Sequence, residues 1–261
     1  MKSIIHKGWE VLKFDGDISS VEDEIIASEF PLTIVLNGQE FATMVCSPTD
    51  LEDMLVGFLA SEGIIRFYDE IKSMSIDEDR GFAYIELYKP LESIQIDHSK
   101  RFIGSCCGKS RQFYFKNDVK TAKTVQTKHT ITVNQCYSLM NQLQEMSIRY
   151  KETGGVHNAA LGSLDRITIM RTDIGRHNAL DKVYGEILKN RIPLEDKVIV
   201  FSGRISSEVL LKVSKIGIGI LLSKSAPTDL GLKLADDLGI TTIGFIRNHK
   251  MNVYTHPERI I

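Results

Sequence analysis

Cysteine is scarce in this chain: four residues among 261, Cys46, Cys106, Cys107 and Cys136. None is spaced C-x-x-C and two are adjacent, so a disulfide framework or a structural zinc site lacks its pattern, and a reduced compartment with one reactive thiol fits better. No stretch approaches the ~18 uncharged apolar residues of a membrane-crossing helix, which points to a soluble, cytoplasmic protein. The opening MKSIIHKGWEVLKFDGD meets acidic residues within a few positions of a short apolar stretch and lacks the apolar core and cleavage site of a secretory signal. An excess of one charge is missing too: 32 Lys and Arg against 34 Asp and Glu leave a formal net charge of −2. That argues against a general nucleic-acid coat and confines anion recognition to local clusters. There is no internal repeat or low-complexity tract, and 43% hydrophobic with 25% charged residues is the composition of an ordinary globular protein. The length allows one large domain or two modest ones, with a sizeable core.

The first half reads as strand-rich. Two apolar runs in FPLTIVLNGQEFATMV (30–45) flank Asn37-Gly38, the pair that most readily supplies two positive φ angles to a tight hairpin. A helix follows, with Thr49 as its expected cap, Asp50, Glu52 and Asp53 at the positive end of its dipole, Leu51, Leu55, Phe58 and Leu59 at helical spacing, and Gly63 at its end. Alternating runs at 72–76 and 81–88 predict further strands. Near residue 130 the period changes. Val133, Cys136, Leu139, Met140, Leu143 and Met146 form one helical stripe over 132–150. Beyond it, expected strands at 159–162, 167–171, 198–201, 218–222 and 241–245 are separated by expected helices at 178–189, 206–215 and 228–238. Strands joined by helices need crossover connections, which favours an α/β layer with a largely parallel sheet. The expected division is a strand-rich N-terminal domain, 1–128, and an α/β domain, 129–261.

The segment GSCCGKSR (104–111) is the most informative for chemistry. Between His98 and Asn117 stand five cations, Lys100, Arg101, Lys109, Arg111 and Lys116, and no carboxylate. Positive charge favours a thiolate, and Gly and Ser leave the backbone open for another molecule to reach the sulfur. The plainer reading is two small buried side chains in a basic loop. Cys46 and Cys136 sit on apolar patterns and read as packing residues. TGGVHNAA (153–160) and DIGRHNALDK (173–182) each place a glycine and a His-Asn pair at a junction between elements, where a side chain can enter a cleft. For any one of these residues a turn, a core histidine or a helix start explains as much, and no third ligand stands at metal-site spacing beside His157 and His177. SGRISSE (202–208) follows a strand and opens a helix, a good anion cradle with Arg204 as a fork-shaped donor, though GxxxxGK[ST] is absent. SKSAPT (223–228) has the same position, which raises the odds of a ligand cleft at the strand carboxyl ends. After the last apolar strand, Phe245-Ile246-Arg247-Asn248-His249-Lys250 gathers cations and an amide suited to phosphate or a polar heterocycle; alone it would read as a solvated loop.

Taken in order, these pieces resemble the FdhD family of formate dehydrogenase accessory sulfurtransferases. The resemblance runs from about residue 30 to the C-terminus and is carried by SEGII (61–65), SCCGKSR (105–111), TGGVHNAAL (153–161), DIGRHNALDKV (173–183), SGRISSEVLLK (202–212), SAPTDLGLKLADDLGIT (225–241) and GFIRNHKMNVYTHPERI (244–260).

The resemblance implies a sulfur carrier. A cysteine desulfurase loads a persulfide on the loop cysteine, which passes the sulfur to the bis(molybdopterin guanine dinucleotide) molybdenum cofactor that formate dehydrogenase requires. A guanine nucleotide is the expected mimic of that acceptor, and a homodimer the expected assembly; neither nucleic acid nor a membrane is an expected partner. Many members carry CGxCG, whereas here Cys106 and Cys107 are adjacent before Gly108. In either alignment Cys107 holds a family cysteine position and is the expected carrier, with Cys106 assisting. The resemblance also implies a cytidine-deaminase-like fold, an α/β three-layer domain (α+β overall) beside a smaller strand-rich one. Deamination itself is disfavoured: Asn158 and Ala159 follow His157, and no P-C-x-x-C exists. Family likeness makes Phe245, Ile246, Arg247, Asn248, His249 and Lys250 cofactor contacts; His157, Arg176, His177, Arg204 and Ser225 are added to the same pocket, and no metal ligand is assigned. A non-catalytic molybdenum-cofactor-binding chaperone for formate dehydrogenase is the alternative.

Overall fold

A computed structural model describes residues 5–90, 101–103, 122 and 124–261. The chain opens with a ribbon of two antiparallel strands, β1 (Ile5–Asp15) and β2 (Ile18–Ala27), turned at Gly16. The sequence patterns had not indicated this ribbon, because Trp9, Leu12, Phe14, Ile18 and Val21 lie exposed on it and leave no wet-and-dry alternation. Next come β3 (Phe30–Leu36) and β4 (Gln39–Cys46), joined as expected at Asn37 and Gly38, whose φ angles are 47° and 78°. Helix α1 (Leu51–Ser61) follows, then β5 (Ile71–Asp77), β6 (Phe82–Leu87) and β7 (Arg101–Ile103). These strands form a sheet in the order β5-β6-β3-β4-β7.

Thr49 does not cap α1. Asp50 is the N-cap at φ 50°, its side chain makes no capping hydrogen bond, and the buried Thr49 Oγ1 has no hydrogen-bond partner among the described residues. The turn before α1 is instead held by the second half of the chain, as described below.

The second half begins with α2 (Val133–Met146), started by a reciprocal cap in which Gln135 N donates to Thr132 Oγ1 (3.1 Å) and Thr132 N to Gln135 Oε1 (2.9 Å). The single helix expected over 132–150 is broken at Ser147. Its hydroxyl donates to the Leu143 carbonyl and accepts Asn158 Nδ2 at 2.9 Å, so a buried serine competes with the helical ladder and a short α3 (Ile148–Thr153) restarts beyond it. There follow β8 (His157–Gly162), β9 (Ile167–Asp173), α4 (Arg176–Lys189), β10 (Val198–Phe201), α5 (Ser207–Ile216), β11 (Ile220–Ser223), α6 (Asp229–Leu238), β12 (Thr241–Arg247) and β13 (Lys250–Thr255). The sheet order is β13-β12-β11-β10-β8-β9. Only β10-β11 and β11-β12 pair in parallel; β8 against both neighbours and β13 against β12 are antiparallel. The largely parallel sheet expected from the sequence is thus confined to its centre, because β8-β9 and β12-β13 are joined by short turns that cannot make a crossover.

Strand alternation gives the sheet two dry faces, hence the expected three layers. Val198, Val200, Ile220 and Leu222 face Cys136, Leu139, Met140 and Leu143 of α2. Ile199, Phe201 and Leu221 face the layer of α4, α5 and α6. That second core runs on without a break into the first sheet, taking in Leu55 and Leu59 of α1 and Leu32, Ile34 and Leu36 of β3. Helices α1 and α4 cross at two glycines: a Cβ on Gly57 would lie 1.8 Å from the Asp181 carbonyl oxygen, and one on Gly185 1.8 Å from that of Asp53.

Polar groups fasten the same junction. Lys182, fully buried, places Nζ 2.8 Å from Asp173 Oδ2 and 3.2 Å from the carbonyls of Ser47 and Thr172. Asp173 also accepts Ser47 N (2.9 Å), Gly175 N (2.8 Å) and Asn178 Nδ2 (3.0 Å), and Asn178 Nδ2 donates to the Val45 carbonyl. One turn along α4, Asp181 accepts Ser61 Oγ (2.6 Å) and Lys212 Nζ (2.6 and 2.8 Å).

Gly185→Ala should therefore force the helices apart and cost at least about 1–3 kcal/mol, read as a fall of several degrees in the midpoint of thermal unfolding followed by circular dichroism. An unchanged midpoint would show that the crossing is not a tight constraint.

Candidate functional site

Strands β9, β10, β11 and β12 all run the same way, and β8 enters against them. The register sets His157 opposite Asp173, Ala159 opposite Phe201, Phe201 opposite Ser223 and Leu222 opposite Ile243. The carboxyl ends thus form one row: 173–177 after β9, His157 at the start of β8, 202–204 after β10, 223–225 at the end of β11 and 245–250 around the β12-β13 turn. Four inter-strand gaps separate its ends, roughly 19 Å at ~4.8 Å per gap. Every residue the sequence nominated outside the cysteine segment lies on this row, although the residues do different things there.

Ser225 is a buttress. Its Oγ donates to the Ser202 carbonyl (2.9 Å), its N–H donates to Ser223 Oγ (3.1 Å), and its carbonyl accepts Phe245 N (3.3 Å), tying three strand ends together. His177, in the first turn of α4, faces Glu208 Oε2 in the first turn of α5 at 3.0 Å. Ile246 is buried among the residues packed under α2 and anchors the hairpin from below. His157 is held below the usual histidine range by burial and by the neighbouring Arg176, with Asp173 opposing, so its imidazole is neutral at pH 7.

Five cationic side chains stand along the row: Arg176, Arg204, Lys224, Arg247 and Lys250. None has a carboxylate partner among the described residues. Among the described residues Arg176 Nε is buried with no hydrogen-bond partner, and Ser206 Oγ, at the N-cap of α5, is in the same state. Orphaned donors beside uncompensated cations and a helix start suit a phosphate-bearing anion. The residues present therefore fit a large anionic acceptor.

The far end is a tight hairpin. Arg247 pairs with Lys250 across Asn248 (φ 50°) and His249 (φ 53°), the two left-handed positions of a type I′ turn. Phe245 also has a positive φ, 54°, inside a register shift of β12, and its ring lies 5.3 Å from the Arg247 guanidinium. A bulky side chain in that region costs of order 1–3 kcal/mol and marks a site held by its surroundings. Part of the holding comes from α2, whose Tyr137 donates its hydroxyl to the His249 carbonyl (2.9 Å) and sets its ring edge-on to the imidazole at 5.3 Å. Two cavities flank the turn. One, of about 430 Å³, lies between α2 and the hairpin and is lined by Tyr137, Asn141, Gln144, Lys224 and 246–249. The other, of about 570 Å³, is lined by Phe245, Arg247, Asn248, Lys250 and Asn252. Sequence reasoning missed Tyr137, Asn141, Gln144 and Lys224. The signal for the first three was present, since they recur at i, i+4 and i+7 on the polar side of the 132–150 stripe.

Cys106 and Cys107, the expected carriers, lie outside the described residues. Cys46 and Cys136 are fully buried, and burial pushes both thiols up to about 12. Asp173 adds to the effect at Cys46. Among the described residues no three His, Cys, Asp or Glu side chains are grouped to hold a metal ion, and no helix is long and apolar enough to cross a membrane.

Comparison with known proteins agrees with this architecture. Residues 27–261 match the FdhD/NarQ family. The chain is 60% identical to the sulfur carrier protein FdhD of Halalkalibacterium halodurans, across 95% of this chain and 92% of the relative. It is 58% identical to the protein of that name from Bacillus subtilis, across 94% and 93%, and 58% identical to that of Geobacillus kaustophilus, across 100% and 99%. A crystal structure from Desulfotalea psychrophila, assigned as a formate dehydrogenase accessory protein, superposes with a TM-score of 0.80 at 26% identity over 99% of this chain and 100% of that one.

Two outcomes follow for the site's chemistry. Brief alkylation of the native protein with iodoacetamide at pH 8 should leave Cys46 and Cys136 unmodified by peptide mass spectrometry, since thiols near 12 in the core carry negligible thiolate; labelling of either without unfolding would contradict their burial. Because the folded His157 binds its proton less readily than the unfolded chain, its contribution to stability is present above about pH 6.5 and is lost as pH falls below it. Urea unfolding of His157→Gln should accordingly weaken less than wild type between pH 7 and pH 5; parallel curves would remove the linkage.

Proposed function

Because the chain belongs to the FdhD/NarQ family, we propose that it is the sulfur carrier that prepares the molybdenum cofactor of formate dehydrogenase. In this reading the Cys107 thiolate attacks the outer sulfur of a cysteine desulfurase persulfide. The donor's sulfur–sulfur bond breaks as the donor cysteine leaves as thiolate, and a new one forms on Cys107. The loaded sulfur is then presented to the bis(molybdopterin guanine dinucleotide) acceptor lying along the carboxyl row, with Cys106 beside it as an assisting thiol.

The observation that carries the acceptor half is the row itself. Five cations without carboxylate partners among the described residues, and two buried donors orphaned among them, stand over roughly 19 Å, a length suited to an extended molecule with several phosphates. The names of the relatives carry the sulfur half. Chain connectivity links the two. Ile103, the last described residue before the cysteines, pairs with Met44, and β4 ends at Cys46, just before Ser47, whose N–H is bonded to Asp173 next to the row. Cys107 is four residue steps beyond Ile103, a reach of at most about 14 Å.

Incubation with a cysteine desulfurase and cysteine should add one sulfur to the intact mass of wild type, removable by a thiol reductant and absent from Cys107→Ala. That variant should also fail to support formate dehydrogenase activity in a strain lacking the native protein, while still binding GDP. A Cys107→Ala protein that restores formate dehydrogenase would instead make the chain a cofactor-binding chaperone.

A further inference from the structure

The cavity between α2 and the β12-β13 turn contains side chains that the reading above does not use. On its inner stripe α2 buries Cys136, Leu139, Met140 and Leu143 against the sheet, and this fixes the rotation of the helix. Tyr137, Asn141 and Gln144 are thereby brought to the cavity, across from Lys224 and Arg247. At about 430 Å³ the cavity falls within the usual size of a small-molecule site. Its wall on α2 is uncharged and rich in hydrogen-bonding groups; its wall on the strand ends is cationic. The side-chain amide of Asn141 makes no hydrogen bond among the described residues, and that of Gln144 makes a single long one, 3.4 Å to its own helix at Met140.

Each carboxamide offers one acceptor oxygen and two N–H donors. A single carboxamide can turn over to match either an acceptor–donor or a donor–acceptor pair, so alone it distinguishes guanine poorly from adenine. Two, from neighbouring turns of one helix, can cover three consecutive positions. The three-atom edge running carbonyl, ring N–H, amino group belongs to a 2-amino-4-oxopyrimidine ring, which guanine and the pterin nucleus share. Adenine lacks the carbonyl and hypoxanthine lacks the amino group. Lys224 and Arg247 on the opposite wall are placed for the phosphate that a nucleotide carrying such a ring would bring.

We propose that Asn141 and Gln144 form the specificity wall of this cavity and read the amino-oxo edge of the acceptor's heterocycle, with Tyr137 as a positioning residue that holds the His249 turn against it. The inference rests on the proposed cofactor-binding role and adds the residues that choose the ligand. Recognition by paired hydrogen bonds is selective because an analogue lacking one partner leaves protein groups desolvated and unpaired.

The test is isothermal titration of the full chain with GDP, IDP, ADP and neopterin, for wild type, Asn141→Ala, Gln144→Ala and Tyr137→Phe. Wild type should prefer GDP over IDP and ADP by roughly tenfold, the worth of about one hydrogen bond left unmade. Asn141→Ala and Gln144→Ala should lose most of that preference while binding ADP as wild type does, which also shows that they fold. Tyr137→Phe should weaken all the nucleotides by a similar factor and leave their ratios intact. Neopterin binding that is lost in the same two variants, with GDP unselected, would support the wall and assign it to the pterin end. Wild-type GDP selectivity that survives both alanine variants would overturn this inference alone. Failure of wild type to bind either GDP or neopterin would overturn it together with the cofactor-binding role.

Discussion

The crossing of α1 and α4 is the constraint on which the rest of the molecule depends. Gly57 and Gly185 let the two backbones approach to a distance at which no Cβ fits, and that contact joins the first sheet to the helical layer of the second. Close approach alone leaves sliding and rotation open. The buried Asp173–Lys182 pair removes them, since each of its groups is also bonded to Ser47, the residue that follows β4. A buried ion pair adds little net stability over an apolar alternative, because desolvation offsets the attraction. Its partners here come from β4, β9 and α4, and only one arrangement of those three elements satisfies them all. The pair thus acts on geometry: it sets where α4 begins, and with it where Arg176 and His157 stand.

The same segment serves both scaffold and site. In DIGRHNALDK the residues Asp173, Asn178, Asp181 and Lys182 turn inward and are bonded to β4, α1 and α5. Arg176 and His177 occupy the first turn and stand at the strand ends. A helix whose rotation is locked by buried polar bonds holds its first turn to a fixed direction, which is what an anion site needs if its donors are to converge without rearrangement. The uncompensated charge at the row is stable for a related reason. Repulsion among cations spread over five strand ends is weak across water at such spacing, whereas a carboxylate placed among them would neutralise the field that attracts an anion.

The fold was legible in the sequence wherever periodicity and turn chemistry act locally. Asn37-Gly38, the 198–201 strand and the three helices between the later strands stand within one or two residues of their expected bounds. Thr49 fails as a cap and the 132–150 helix breaks at Ser147 because distant residues outbid the local pattern: Asp173 holds the turn at Ser47, and Asn158 bonds the Ser147 hydroxyl. The candidate row was legible as a set of residues and not as a division of labour. Nothing in the order of the chain separates Ser225, committed to three strand ends, from Lys224, which faces the cavity. The β1-β2 ribbon left no signal, since a two-stranded element with apolar side chains on its open surface has no buried face to set a pattern.

Four thiols in one chain pose a problem of selectivity for the carrier proposed above, which must load a single sulfur. Persulfide transfer begins with a thiolate, so a site is chosen first by the ease of ionisation and then by access. Burial settles both for Cys46 and Cys136: each has no exposed surface, and each is driven up to about 12 by the loss of solvation that a thiolate would suffer there. At Cys46 the nearby Asp173 carboxylate strengthens the effect, so the residue that fixes the start of α4 also suppresses ionisation of a buried thiol. The 100–116 sequence around Cys106 and Cys107 holds five cations and no carboxylate, a composition that favours a thiolate. In the carrier proposed above, this contrast between two buried thiols and a cation-rich segment would reserve sulfur chemistry for the adjacent cysteines.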